Sequence, residues 1–340
     1  MEKRFDGIDG IRVIAAMGII LRHVQANLDY NFPGGENVFL LFNSFVSLFM
    51  IISSFSMCCG YYEKMVSGNY SVEDFYLRRI KKVWPFFAFV VCVELLVSPS
   101  KEALYEALIN LTLVFGLLPN ANINVIGVGW TLGVIFVFYL MFPFFVFLLK
   151  NKKRAWVALM ISILLRIICS KYFFSSYFVV SDFSRHSNFL YNSVYFVLGG
   201  LLYLYRDSII CVFASRKRIT FVVVLILGIC SVISYQCGVD VLIFGMGILF
   251  FSAWIMYAIS CPGFFLTNNI IRKISCVSLE IYLSHMLIFR AIELIGVSSI
   301  MKNYPTINYL FVTLIVVIST ITFSIVANKI LVKLQTKKCK

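Results

Sequence analysis

Two residues in the first long apolar stretch of the chain have types and a spacing that suit chemistry, Arg12 and His23. They are eleven positions apart, so on a helix their side chains point only about 20° apart and lie roughly 16 Å from each other along the axis. A guanidinium binds phosphate or carboxylate through paired hydrogen bonds, and a neutral imidazole takes a proton from an alcohol at neutral pH. This helix face predicts an anion site near one end and a general base near the other.

Both residues also have structural interpretations. Arg12 lies one turn after Asp9 and can simply pair with it, or it can extend to lipid headgroups. His23 can be a buried imidazole that is hydrogen-bonded to a neighbouring helix, and Arg22 can extend to the outer surface. Ionisable residues inside apolar spans are costly, so a functional role is the first hypothesis for them.

A basic segment, EDFYLRRIKKVWP at residues 73–85, precedes a later apolar stretch. Its cations suit a polyphosphate ligand such as a nucleotide-bearing donor. They equally suit an ordinary cytoplasmic anchor with Trp84 at the membrane interface. The candidate binding residues in this segment are Arg78, Arg79 and Lys82.

A third polar block, ISCVSLEIYLSHMLIF, lies near the C-terminal end of the chain. On a helix Ser278, Tyr282 and His285 share one face, and Glu280 points elsewhere. His285 is a candidate for stabilising a developing oxyanion. The alternative is a polar stripe packed between helices, with no role in chemistry.

The composition predicts which elements position these residues. Of the 340 residues 61% are hydrophobic and only 14% are charged, which excludes an ordinary soluble protein. Crossing a bilayer takes about 20 apolar residues, and stretches of about that length recur along the whole chain. We therefore predict an all-α fold, a polytopic transmembrane helical bundle in which residues 1–340 form a single domain. The candidate stretches are 8–28, 39–59, 84–98, 104–119, 129–149, 155–173, 189–205, 219–235, 241–259, 275–296 and 309–332.

The positive charges decide how many of these stretches cross the membrane. If 104–119 does not cross, nearly all the Lys and Arg of the loops and tails fall on the side of the N-terminus. If it crosses, most of them fall on the opposite side. Because cytoplasmic loops are basic, the first arrangement is favoured, and it gives ten predicted spans with both termini in the cytoplasm. The net charge of +14 is then explained without a nucleic-acid partner.

Several function classes have no residues to support them. The ten cysteines are scattered and offer no disulfide framework and no metal-ligand spacing, so no metal is expected. The chain contains no nucleophile elbow, no zinc-protease helix and no phosphate-binding glycine loop. Internal repeats of the kind found in many transporters are not evident.

The polar blocks resemble, in order, those of the integral membrane acyltransferase-3 family, which O-acylates bacterial surface and secreted carbohydrates, most often with acetyl groups. The resemblance covers nearly the whole chain. The segment WTLGVIF is most similar to the corresponding segment of the fucose 4-O-acetylase-like branch. The matching blocks are FDGIDGIRVIAAMGIILRHV with its Arg12 and His23 spacing, FYLRRIKKVWP at 75–85, WTLGVIFVFYLMFP at 130–143, SVYFVLGGLLY at 193–203 and SCVSLEIYLSHMLI at 275–288.

The resemblance implies partners and a location. The donor is expected to be acetyl-CoA or another acyl-CoA, used as a co-substrate with no bound cofactor. The acceptor is expected to be a lipid-linked or exported carbohydrate, and the chain to be a multi-pass protein of the bacterial inner (plasma) membrane. The sequence leaves a homodimer open, and it does not identify the sugar. The outer segments that are candidates for contacting it are Asp29–Val38, Phe174–Asn188 and Val297–Asn308.

One residue departs from the family pattern. Many members carry a Glu where this chain has Ile135, so a role for that carboxylate does not carry over. Either His23 acts without a carboxylate, or Asp9, Glu94 or Glu280 supplies one.

The mechanism that we predict from these residues runs along the first helix. Arg12, Arg78 and Arg79 hold the phosphates of acyl-CoA, with Lys82 beside them, and the pantetheine arm reaches His23. His23 acts as the general base on the acceptor hydroxyl. Trp130 and Tyr282 line the channel.

Two other functions use similar residues. A transporter or flippase for a polysaccharide precursor also needs polar residues at mid-membrane. A membrane sensor could keep the same fold without chemistry.

Overall fold

The chain is all helical in the part that the computed structural model describes, residues 5–32, 34–118, 125–173 and 187–337. Short π turns at Cys58–Tyr62 and Cys169–Phe173 and 3₁₀ turns at Phe115–Leu117 and Val297–Ser299 interrupt the α-helices. The α-helices in chain order are α1 (Asp6–Asn27), α2 (Glu36–Asn43), α3 (Phe45–Met57), α4 (Glu63–Val66), α5 (Val72–Val97), α6 (Lys101–Leu111), α7 (Trp130–Leu149), α8 (Lys152–Ile168), α9 (Phe189–Ser215), α10 (Lys217–Cys237), α11 (Asp240–Ser260), α12 (Phe264–Thr267), α13 (Asn269–Cys276), α14 (Ser278–Leu294) and α15 (Pro305–Lys337).

The all-α prediction is confirmed for these residues. Within the described residues, six helical segments are long and apolar enough to cross a membrane, and the pair α13 and α14, bent by 70° at Val277, makes a seventh if it counts as one span. The six segments are Glu36–Val66, Trp130–Leu149, Phe189–Ser215, Lys217–Cys237, Asp240–Ser260 and Pro305–Gln335.

Ten spans with cytoplasmic termini stay a prediction. The three remaining predicted spans also form helices, but α1 and α5 carry several charged residues and α8 has only 17 residues. The stretch 104–119, which we predicted not to cross, forms the 11-residue helix α6 and a 3₁₀ turn. A helix of that length is shorter than a bilayer core. Residues 119–124 and most of the outer segment Phe174–Asn188 lie outside the described residues.

Backbone contacts divide the chain into two compact units. Residues 50–205 form one, which we call the central unit. Residues 5–49 and 206–337 form the other, which we call the terminal unit. Arg12, His23 and His285 belong to the terminal unit, and Arg78 and Arg79 belong to the central unit.

The faces of α15 show how these helices suit a membrane. Val312 and Val316 are fully buried, whereas Leu310, Leu314 and Ile318, on another face at a spacing of four residues, are each more than half exposed. A stripe of large exposed aliphatic side chains is unfavourable in water and is what a lipid-facing helix presents.

In the terminal unit α1 is surrounded by other helices. Ala16, Ile20 and Val24 of α1 belong to one buried cluster with Ile281 of α14 and Val312 of α15. At its N-terminal end Gly7 lies against the backbone of Ala258 in α11, where a Cβ would overlap the carbonyl group. The absence of a side chain lets α1 approach α11 at backbone distance, which fixes the end that carries Arg12.

In the central unit aromatic side chains join α3, α5, α7 and α9. Phe138 and Phe196 stack with ring centroids 4.3 Å apart, and Phe75 stacks on Phe142 at 5.2 Å. Ser54 of α3 donates a hydrogen bond to the carbonyl of Phe196 at 2.6 Å. The two helices are close enough there that a Cβ on Gly199 would lie 2.7 Å from the Cβ of Ser54.

The contact between α3 and α9 generates a stability prediction. Gly199→Ala forces these backbones apart, and overpacking of this kind costs about 1–3 kcal/mol, so we expect a lower midpoint of thermal unfolding in detergent. Gly247→Ala is the matched control, because no atom lies within 4 Å of the added Cβ in α11. The midpoint of that control should stay level or rise slightly, and an equal loss in both variants would contradict the close approach.

Candidate functional site

Helix α1 carries both Arg12 and His23 without a break, from Asp6 to Asn27. The prediction that they share one helix is therefore confirmed. Aspartates occupy its first turn, where a carboxylate favourably meets the positive end of the helix dipole. The eleven-position offset keeps the two side chains on nearly the same face, about three turns apart.

A polar cluster surrounds the first turns of α1. Arg12 Nη1 lies 3.8 Å from Asp9 Oδ1, and the Oγ of Ser275 donates to that same oxygen at 2.8 Å. One helix turn earlier, Arg272 pairs with Asp6 at 3.2 Å. Asp9 is buried, whereas the side chain of Arg12 keeps 30% of its surface exposed. These contacts tie α13 to the start of α1.

The ring of His23 meets a second imidazole. Its Nδ1 lies 2.6 Å from Nε2 of His285 on α14, and the two ring planes differ by only 2°. The ring centroids are 4.9 Å apart, which is the nitrogen–nitrogen distance plus a ring radius on each side. The rings therefore lie edge to edge in one plane, with the nitrogen atoms in line for a hydrogen bond.

The backbone of α14 holds His285 in place. Its Nδ1 lies 2.6 Å from the carbonyl oxygen of Tyr282, one turn earlier, and the residue is only 1% exposed. Tyr282 is also buried and packs its ring against Phe49 at 6.1 Å. His285 is enclosed, whereas His23 as a residue keeps partial exposure.

Hydrogen bonds order the chain immediately after His23. Arg22 donates to the side-chain oxygen of Gln25, and Gln25 donates to the carbonyl of Tyr30 at 2.6 Å. The ring of Tyr30 stacks on Tyr309 of α15 with centroids 4.6 Å apart. The end of α1 is thus fixed against α15, which restricts the position of the imidazole.

The rest of the polar block on α14 points into helix packing. Ser284 is fully buried, donates to the carbonyl of Glu280 at 2.8 Å and lies 3.2 Å from the hydroxyl of Ser324. Ser278 and Glu280 are buried near the start of α14. The contacts of Ser284 are those of a polar stripe between helices, whereas the role of Glu280 stays a prediction.

The basic segment forms the N-terminal half of α5 in the central unit. Ser71 caps that helix by accepting from the backbone N–H of Asp74 at 3.0 Å. Arg78 and Lys82 are exposed, and the guanidinium of Arg78 lies 5.7 Å from the ring centroid of Tyr70.

Arg79 is held by two tyrosine rings and by two hydrogen bonds. Its guanidinium lies 4.9 Å from the ring centroid of Tyr61 and 5.9 Å from that of Tyr139, and it also donates to the Tyr61 hydroxyl and to the sulfur of Met57. The π turn at Cys58–Tyr62 presents Tyr61 to this guanidinium. Wide turns of this kind frequently occur at functional sites.

Two further residues singled out from the sequence lie on α7. Trp130 is the first residue of that helix, and Ile135 is buried one turn later, with 8% exposure. Within the described ranges, no three His, Cys, Asp or Glu residues come close enough to hold a metal ion.

The sequence did not indicate three of these contacts. His23 and His285 are 262 positions apart, and nothing in the spacing pairs them. The bond from Ser275 to Asp9 and the two tyrosines around Arg79 also depend on helix packing. The available signal was that both histidines fall in apolar helices, where each polar group needs a partner.

A known protein family matches nearly the whole chain. Residues 5–329 match a family model described as an acyltransferase domain. No curated protein and no solved structure matches. The matched range contains each candidate residue named above, and with its long apolar helices it indicates a multi-pass membrane protein. The chain belongs to the acyltransferase-3 family.

Proposed function

We propose that this membrane acyltransferase moves an acetyl group from acetyl-CoA on the cytoplasmic side to a sugar hydroxyl of a surface or exported glycan. His23 is the general base, and Arg12, Arg78, Arg79 and Lys82 bind the donor. The bacterial inner membrane and the fucose 4-O-acetylase-like branch are parts of the same proposal.

The observation that carries the proposal is the state of the His23 ring. Its Nδ1 is engaged with His285, and none of the described residues bonds to its Nε2. The residue also keeps partial exposure, and the proposal is that the acceptor hydroxyl approaches that nitrogen. An oriented imidazole with one nitrogen held and the other accessible is the arrangement that general-base catalysis requires.

The donor role of Arg12 is supported by its fork of donors and its exposure. A guanidinium presents a planar fork of N–H groups, and 30% of the Arg12 side-chain surface is exposed beside Asp9. Asp9 positions the fork while Ser275 binds the same carboxylate oxygen. We propose that the exposed part of this guanidinium binds a phosphate of acetyl-CoA through paired hydrogen bonds.

The central unit supplies the other donor-binding residues of the proposal. The rings of Tyr61 and Tyr139 hold the guanidinium of Arg79 in one orientation, so little side-chain entropy is lost when it binds a phosphate. Arg78 and Lys82 add exposed positive charge on the same helix. Trp130, the first residue of α7 in this unit, is proposed to line the path for the pantetheine arm.

The reaction balances as follows. His23 Nε2 takes the proton of the sugar hydroxyl as its oxygen attacks the thioester carbonyl carbon. The carbon–sulfur bond then breaks, and the departing sulfur takes the proton back from His23 to give free CoA thiol. The products are the acetyl ester of the sugar and CoA, and His23 returns to its neutral form.

The proposed function predicts, first, the effect of replacing His23. His23→Ala should lower acetyl transfer by purified protein about 10²–10⁴-fold, the usual contribution of a general base. The assay follows release of CoA thiol from acetyl-CoA in the presence of an extract of the acceptor glycan. It also distinguishes an acyltransferase from a transporter, which releases no thiol. Asn27→Ala is the control for a change in the last turn of α1, because this exposed side chain donates to the backbone carbonyl of His23 at 2.8 Å and not to its ring. Full activity of His23→Ala would refute the proposed base.

The second prediction concerns Arg12. Arg12→Lys keeps the charge and loses the fork, so the KM for acetyl-CoA should rise about tenfold, which corresponds to one charge-assisted hydrogen bond. Arg272→Lys is a matched control, because Arg272 also pairs with a carboxylate in the first turn of α1. An unchanged KM in Arg12→Lys, or an equal rise in both variants, would argue against phosphate binding by Arg12.

A further inference from the structure

The hydrogen bond between the His285 ring and the backbone carbonyl of Tyr282 shows which ring nitrogen of His285 carries the proton. A carbonyl oxygen only accepts hydrogen bonds, so the Nδ1 that lies 2.6 Å from the Tyr282 carbonyl carries a proton and donates it. The ring is 1% exposed among apolar helices, where a neutral imidazole is strongly favoured over a charged one. A neutral imidazole has one ring proton, so Nε2 of His285 presents a lone pair.

That lone pair points at His23. The two nitrogens are 2.6 Å apart in nearly coplanar rings, and an imidazole lone pair lies in the plane of its ring. Two lone pairs would repel each other at this distance, so a proton lies between them, and it belongs to Nδ1 of His23. The single ring proton of neutral His23 is then used, and its Nε2 is left as a base.

We propose that His285 is a positioning residue that fixes His23 in the tautomer with Nδ1 protonated and Nε2 free to accept the proton of the acceptor hydroxyl. The hydrogen-bonded chain runs from Nδ1 of His23 to Nε2 of His285, and from Nδ1 of His285 to the carbonyl oxygen of Tyr282. The inference rests on the proposed function of His23 as the base. It adds His285 as the group that sets the tautomer of His23.

The same contact assists the step in which His23 becomes charged. When Nε2 takes the proton from the sugar, the bond from Nδ1 to His285 becomes a charge-assisted hydrogen bond, which is about twice as strong as a neutral one. His285 stays neutral throughout. It orients the ring of His23, which is the role that the buried and charged aspartate has in a serine-protease triad. Here the acceptor is a second imidazole, whose own orientation the backbone fixes.

A nitrogen NMR measurement tests the tautomer without reference to catalysis. The chain has only three histidines, so protein labelled with [¹⁵N]histidine gives few ring signals, which single substitutions assign. The ¹⁵N chemical shift separates protonated from unprotonated ring nitrogens. We expect His23 with Nδ1 protonated and Nε2 unprotonated, and a scalar coupling between Nδ1 of His23 and Nε2 of His285. A protonated Nε2 on His23 in the unsubstituted protein would overturn the proposal.

Two substitutions separate positioning from packing. His285→Gln keeps an acceptor near the place of Nε2, whereas His285→Leu removes it. In the leucine variant the Nδ1 tautomer of His23 should no longer predominate, and kcat should fall about 100-fold or more with little change in the KM for acetyl-CoA. In the serine triad the wrong tautomer costs about 10⁴-fold in kcat. The glutamine variant should recover the tautomer and most of kcat.

Ser284→Ala is the control for a change in the packing of α14, because that hydroxyl bonds to Glu280 and Ser324 and not to His23. Its kcat should match that of the unsubstituted protein. If the NMR shows the expected tautomer and His285→Leu keeps its kcat, positioning by His285 is refuted while His23 stands as the base. If His23→Ala is fully active, the proposed function itself fails. If the leucine variant does not fold, the NMR of the unsubstituted protein decides.

Discussion

The requirement that buried polar groups find partners inside a lipid-like environment shapes the terminal unit. Asp9 and His23 lie on one helix about three to four turns apart, and each meets a polar group from the block near the C-terminus, Ser275 and His285 respectively. Without those partners each group would carry a desolvation cost of several kcal/mol in an apolar surrounding. The packing of α1 against α13 and α14 therefore supplies a hydrogen-bond partner both to Asp9 and to the proposed base His23.

The sequence predicted where the helices begin and end better than it predicted which helices pack against each other. Apolar stretches and helix periodicity placed α1, α7, α10 and α11 within a few residues of their observed ends, because both signals are local. The short helix α6 was also expected. The bend at Val277 was not, because a break between two helical segments depends on what each of them packs against.

For the candidate site, the residue types could be chosen from the sequence but their contacts could not. Arg12 and His23 share a helix, so their relation follows from spacing alone. The group that meets His23 was sought among the carboxylates, and the structure brings an imidazole instead, from a helix more than 250 positions away. Such a pair depends on how two helices rotate against each other, which periodicity does not specify.

The π turn at Cys58–Tyr62 constrains how this chain can change in length. A π turn holds one residue more than a regular turn, and it directs Tyr61 toward Arg79 and Tyr62 toward Tyr203. Deleting a single residue there would replace the wide turn by a regular one with the flanks nearly in register, and it would remove the backbone geometry that directs the two tyrosines. The number of residues between Met57 and Glu63 is therefore fixed more strictly than their types, so insertions and deletions in this segment should be tolerated less than substitutions.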